Sequence, residues 1–302
     1  MPSLKAIRNR IASVKSTQKI TRAMKMVAAA RLRRAQEAVV AARPYAKHMA
    51  GVVHDLVVRM TEDAASGDAR HPLLAPRGGV KGGKLRLLLI TSDRGLAGGY
   101  NSNLSRFAER LIVEEKPNFA SIEMVIVGRK GKEYFARRKR APIHKEYPGV
   151  AGDSALARAR EIGAELSADF FAGNVDQVWV LYNEFKSAIS QIPSSLKLLP
   201  LAATKADKIE AGPRSLVDFV YEPSRADVLE TLLPLYLDVQ LYQVMLEAVA
   251  SEFGAKMSAM DSATKNAKEM ISSLTLVFNR ARQAAITKEL MEIVGGAEAL
   301  KG

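Results

Sequence analysis

Apolar residues at the two ends of the chain recur in steps of three and four, whereas those in its middle come as short runs. From Ser3 to Arg43 there is neither Gly nor Pro, and one stripe runs through Leu4, Ile7, Ile11 and Val14 into Gln18, Thr21, Met24 and Ala28. This spacing predicts a long helix with Ser3 as its N-cap, closed at Pro44, whose coiled-coil seam has a polar, small-residue centre. Toward the other end, Phe253, Met257, Met260, Thr264, Ala267, Ile271, Leu274, Phe278, Ala281 and Ala285 alternate steps of four and three without a slip. A second coiled-coil helix is predicted from Arg225 to a cap at Gly295-Gly296, kinked near Pro234 and tolerating Gly254 inside it.

Between these ends LRLLLIT (85–91), SIEMVIVG (121–128) and NVDQVWVLYNEF (174–185) read as buried strands. Helical stretches near 102–115, 130–140 and 153–171 separate them, and such alternation implies a parallel α/β sheet. The segments 61–84 and 203–215, rich in Gly, Pro and charge, read as linkers. The expected division is 1–60 for the N-terminal coiled-coil helix, 61–84 for a linker, 85–205 for the α/β domain, and 206–302 for a foot segment and the C-terminal coiled-coil helix.

Neither terminal seam is stable alone, and the most economical burial is each against the other. The fold class is therefore expected to be α/β with long helices: an antiparallel coiled coil of the N- and C-terminal helices plus an inserted Rossmann-like α/β domain. The longer C-terminal helix is expected to project past its partner.

Composition narrows the function. With 302 residues and 48% hydrophobic content the chain can bury a core. It has no cysteine, so a disulfide framework and a thiolate metal site are excluded. No apolar run approaches the roughly 18 to 20 residues that cross a bilayer, and Met1-Pro2-Ser3 leads into an amphipathic pattern without a signal core. The first 50 residues hold twelve Lys and Arg against Glu37 alone, so +11 of the net charge of +13 sits there. A field this localised marks a surface that meets an acidic partner.

Motifs that suggest chemistry fit structural roles better. GGVKGGK (78–84) has the spacing of a phosphate loop, but Leu85 stands where Ser or Thr would reach a metal, and a strand follows where a helix should. TSDRGLAGGYN (91–101) is expected to be a strand-to-helix turn with Asn101 or Ser102 as N-cap, and Asp93 and Arg94 to fix a loop. The four histidines, His48, His54, His71 and His144, have no metal-binding spacing. No nucleophile is assembled with a base. A basic segment with heptads also suits a nucleic-acid-binding coiled-coil protein, although in basic-zipper readers the zipper continues directly from the basic helix, whereas here Pro44 and a domain intervene. The first aromatic residue is Tyr45, so no stacking platform interleaves with the charges.

Three stretches resemble the gamma subunit of rotary F-type ATP synthases: IRNRIASVKSTQKITRAMKMVAAARLRRAQ near the start, TSDRGLAGGYN, and MDSATKNAKEMISSLTLVFNRARQAAITKELMEIVGGAEAL near the end. Family members often carry Cys where this chain has Ala97, and no cysteine-bearing redox insert is present, so thiol regulation is not expected. The resemblance implies a non-catalytic central rotor shaft without cofactor of its own, nucleotide and Mg being bound by alpha and beta subunits. The implied partners are three alpha and three beta subunits, the epsilon and delta subunits and the membrane c-ring, with no nucleic acid. It further implies that Met24, with Arg31 in the surrounding basic face, lies near an acidic lever of a beta subunit. Arg282, Gln283 and Thr287 would engage the loops that catch the shaft, and Tyr221 and Glu222, from VYEPS (220–224), the rotor ring. With no presequence before the first helix, a bacterial protein is expected, peripheral to the cytoplasmic face of the plasma (inner) membrane.

Overall fold

The computed structural model describes residues 3–63, 71–74, 82–150, 154–201, 222 and 224–299. Its first helix, α1 (Leu4–Asp63), starts as the sequence predicts: the Ala6 N–H donates to the Ser3 hydroxyl at 3.3 Å, satisfying a donor that the helix leaves free. It does not close at Pro44, which lies inside it. Every seam position from Leu4 to Ala28 is buried or half-buried, and the same stepping continues through Leu32, Ala35, Val39, Ala42, Ala46, Met49, Val53 and Leu56. Pro44 points outward between two seam positions. The burial of Ala46, Met49, Val53 and Leu56 at 9% exposure or less offsets the one backbone hydrogen bond that Pro44 removes.

The last helix, α5 (Arg225–Ala299), is capped by Ser224, whose hydroxyl accepts the Asp227 N–H at 3.1 Å. All ten predicted seam positions from Phe253 to Ala285 are buried or half-buried, and residues 286–296 are exposed without exception. Gly295-Gly296 is not a cap, since the helix runs to Ala299. Glycine stops a helix by turning left-handed, and neither glycine does so.

Between them come β1 (Gly83–Ile90), α2 (Tyr100–Glu115), β2 (Phe119–Val127), α3 (Arg129–Arg138), β3 (Ile143–Tyr147), α4 (Ala155–Phe171), β4 (Gln177–Phe185) and β5 (Gln191–Leu199). The strands form one sheet in the order β3-β2-β1-β4-β5. Four are parallel and Rossmann-like, as expected; β5 pairs antiparallel with β4, so the sheet is mixed. The two unpredicted strands are both at edges, where polar residues in IHKEY and Pro193 in QIPSSLKLL are tolerated. Of the proposed linkers, 203–215 and most of 61–84 lie outside the described residues. Leu73, inside the latter, is no linker residue: it is fully buried, and its carbonyl accepts the Leu201 N–H at 2.7 Å.

The described chain divides into two compact units, residues 1–29 with 256–302, and residues 30–255. In the second, alternate sheet residues serve opposite faces. Leu85, Leu87 and Leu89 pack with Leu104, Ile112 and Phe135 of α2 and α3. Leu88 and Ile90 join Ile162 and Phe170 of α4, Leu56 of α1, and Leu233, Leu237 and Leu241 of α5.

At the head of the sheet Gly128 has φ +94°, and a Cβ there would stand 2.2 Å from the Thr91 carbonyl oxygen. The obstruction is backbone and cannot rotate away. Gly128→Ala is therefore expected to destabilise the protein by about 2 kcal/mol or more, read as a lower denaturant midpoint with an unchanged slope.

Candidate partner interface on the paired helices

Within the unit of residues 1–29 and 256–302, three contacts fix how α1 and α5 meet. The Arg8 guanidinium lies over the Phe278 ring at 5.7 Å, the Thr21 and Thr264 hydroxyls are hydrogen-bonded at 2.8 Å, and Lys25 Nζ meets the Asp261 carboxylate at 2.6 Å. Numbers rise along one helix as they fall along the other, so the pair is antiparallel. Small residues close the seam: Ala28 and Ala267 are 1% and 7% exposed.

Burying one stripe leaves the rest of each helix to face outward. Lys5, Arg8, Arg10, Lys15, Lys19 and Arg22 are exposed, and no acid precedes Glu37. Ile20, Met26 and Val27 are also exposed, as are Leu276 and Val277 on α5. Past the seam, Leu290, Met291, Ile293 and Val294 are each more than half exposed. Sequence reading missed these apolar positions, although one signal was available: they are large hydrophobic residues off the three-four stripe. A basic surface carrying exposed apolar side chains has the composition of a protein interface.

The proposed site residues occupy separate places. Met24 is half-buried at the seam beside Lys25, while Arg282, Gln283 and Thr287 are exposed on α5, the Thr287 hydroxyl donating to the Gln283 carbonyl at 3.0 Å. Arg282 lies about 30 Å along α5 from Asp261, the partner of Lys25, at 1.5 Å per residue. Arg31 belongs to the other unit, exposed and stacked over the Phe253 ring at 5.5 Å. Glu222 is exposed, and Tyr221 lies outside the described residues.

Residues that suggested chemistry are occupied by structure. Asp93 accepts the backbone N–H groups of Arg129 and Gly149 at 2.9 and 3.0 Å, and so fixes loops. Neither Asn101 nor Ser102 caps α2: Gly99 takes that position, and the Asn101 amide oxygen accepts the Ser92 N–H at 3.0 Å. Tyr100 and Ala97, from the same motif, form a small core with Ala255, and the Tyr100 hydroxyl donates to the Ala248 carbonyl at 3.1 Å. The motif thus anchors α5. Of GGVKGGK, residues 78–81 lie outside the described residues, and Lys84 sits in β1 with its N–H on Asp176. His144, Glu165 and Asp169 have metal-ligand groups within 4.8 Å of one another. Glu165 is nevertheless paired with Lys145, and Asp169 with the buried Arg86, so the group is an ion-pair network.

The sequence model of a family described as ATP synthase matches residues 3–300. The ATP synthase gamma chain of Anaeromyxobacter sp. strain Fw109-5 is 50% identical over 301 residues, covering 100% of both chains. That of Geobacter sp. strain M21 is 47% identical over 302 residues, again 100% of both. The chain belongs to the ATP synthase gamma-chain family. A chain in the central stalk and c-ring structure of Tetrahymena thermophila mitochondrial ATP synthase superposes with a TM-score of 0.58 at 26% identity, over 81% of this chain and 99% of that one. A chain of the Euglena gracilis mitochondrial ATP synthase, in its OSCP, F1 and c-ring structure, shares the fold with a TM-score of 0.65 at 19% identity, over 98% and 94%. The family resemblance of the three motifs is borne out. As a gamma chain it is a non-catalytic subunit of the enzyme, and these relatives lend no support to the nucleic-acid alternative. No helix among the described residues is long and apolar enough to cross a membrane.

Lys25, and after it Lys265, hold the Asp261 carboxyl below its ordinary 3.8. A carboxyl depressed in the folded state contributes stability above its unfolded pKa and loses it as pH falls through the folded one. Asp261→Asn is expected to melt below the wild type at neutral pH, with the two melting temperatures converging as the pH falls below 3.8. A gap that persists in strong acid would assign the effect to packing.

Proposed function

We propose that this chain is the central rotor shaft of a proton-translocating F-type ATP synthase, coupling rotation of the membrane c-ring to conformational cycling of the catalytic sites on the alpha and beta subunits. The observation that carries this reading is the antiparallel helix pair, closed along one seam and presenting basic and apolar residues outward. Nothing in that arrangement performs chemistry, and everything in it suits contact. A shaft couples only by differential contact: the face presented to one beta subunit must stabilise one conformation over the others. A single asymmetric pair meeting three alpha and three beta subunits presents a different face to each. Rotation then cycles every site through binding, synthesis and release.

In this reading Met24 and the basic residues near it meet an acidic lever of a beta subunit, where charge complementarity sets register and rate of engagement, and Arg31 is a further contact with the alpha and beta subunits. Arg282 and Gln283 engage the loops that catch the shaft, the guanidinium pairing with carboxylates through two hydrogen bonds. Thr287 lies one turn further on the same helix. Tyr221 and Glu222 rest on the rotor ring beside the epsilon subunit, with delta completing the assembly. Nucleotide and Mg are held by the alpha and beta subunits, and the chain sits peripherally at the cytoplasmic face of a bacterial inner membrane.

Purified alone, the chain is expected neither to hydrolyse ATP nor to retain DNA at physiological salt, and to restore ATPase activity to isolated alpha and beta subunits. Tight, salt-resistant DNA binding without reconstitution would overturn the reading. In the reconstituted complex, Arg282→Ala with Gln283→Ala is expected to lower turnover or assembly by about tenfold, a loss of about 1.4 kcal/mol. Lys130→Ala with Lys132→Ala, on the sheet domain, should change either by less than about twofold. Equal effects would remove the role given to the first pair.

A further inference from the structure

A groove of about 860 Å³ opens between α2, the end of α3 and Pro193 of β5. Its chemistry is dominated by four arginines. Arg106 and Arg110 stand one turn apart on the exposed stripe of α2, and Arg138 and Arg140 bracket the end of α3. Lys139, between the latter two, takes φ +47°, a left-handed conformation that non-glycine residues rarely adopt. That turn brings both neighbours to one carboxylate: Arg138 meets Glu109 Oε2 and Arg140 meets Oε1, each at 2.7 Å.

Three of these side chains, Arg106, Arg138 and Arg140, are held in place before anything binds. Arg138 also lies over the Tyr134 ring at 4.3 Å, and the Tyr134 hydroxyl donates to Glu109 at 2.8 Å. The Arg140 bond and then the Tyr134 bond hold the Glu109 carboxyl down to about 2, so it stays charged. Arg106 is braced by the Asn103 side chain at 3.1 Å. Arg110, in the same groove, has no hydrogen-bond or ion-pair partner among the described residues.

We infer that this groove docks an extended acidic segment of a protein partner, whose carboxylates pair with Arg106, Arg110, Arg138 and Arg140. Planar guanidinium forks match carboxylates, and preorganisation lowers the entropy cost of engaging them. The lining also argues against single-stranded nucleic acid, since it offers no aromatic face to stack a base. Val113, 59% exposed, and Pro193 supply apolar contacts for the segment's other side chains. The groove lies wholly within residues 30–255 and does not depend on the roles proposed for the paired helices.

The cysteine-free sequence permits a direct test on the full chain. Val113→Cys carrying an environment-sensitive dye is titrated with an oligoglutamate peptide of about eight residues, roughly 26 Å when extended. Saturable binding is expected, weakened about tenfold or more by Arg106→Glu with Arg110→Glu. Arg33→Glu with Arg34→Glu, in the N-terminal basic stretch, should change it by less than about twofold. Absence of binding, or loss through the N-terminal pair while the groove pair has no effect, would overturn the inference. Saturation of the same dye signal by inorganic tripolyphosphate at lower concentration than by the peptide would identify a small-anion site and overturn it as well. If circular dichroism shows the charge-reversed chain to be misfolded, Arg110→Gln decides the matter, with a loss of about threefold expected and an unchanged affinity contradicting the proposal.

Discussion

The antiparallel contact between the N- and C-terminal seams is the constraint on which the interface depends. Each helix in the unit of residues 1–29 and 256–302 has only a narrow apolar stripe, and a stripe of that width is buried by one partner helix. Its polar centre sets the register. Thr21 faces Thr264 and Lys25 faces Asp261 in a single alignment, and a slip of one heptad would set both hydroxyls beside apolar seam residues and break the charge pair. Once that alignment is set, the identity of every outward residue follows, including the basic face and the apolar residues beyond Ala285.

The same two helices do different work in the unit of residues 30–255. There α5 is buried on several sides, with Leu233, Leu237, Leu241, Met245, Leu246 and Ala250 all at 1% exposure or less. Such all-round burial belongs to a helix enclosed by a core. The Gly-rich motif after β1 contributes to that enclosure: Tyr100 bonds the α5 backbone, and the buried Asn183 amide donates to the Tyr100 carbonyl at 3.3 Å. This strand-to-helix turn is thereby a structural clamp. Its glycines serve close approach and turning.

Much of this was legible in the sequence because periodicity reports burial directly. The ten C-terminal seam positions, the cap at Ser3 and three of the five strands were readable residue by residue. Pro44 and Gly295-Gly296 were misread because both are local punctuation. Whether a helix obeys local punctuation depends on what its next turns bury, and after Pro44 they bury Met49, Val53 and Leu56. The edge strands β3 and β5 were illegible for the opposite reason: their hydrogen bonds come from β2 and β4, so polar side chains and a proline suffice to form them.

The sequence alone determined the two long helices, the alternating strands and helices between them, the basic N-terminal segment and the family, since each rests on spacing, composition or motif carried along the chain. Only the tertiary structure decided that Thr21 meets Thr264, that β5 runs antiparallel, that Asp93 holds the backbone at Arg129 and Gly149 and that Arg138 and Arg140 converge on Glu109. Those facts join residues distant in sequence. Their energies depend on distance and burial, which a linear pattern does not contain.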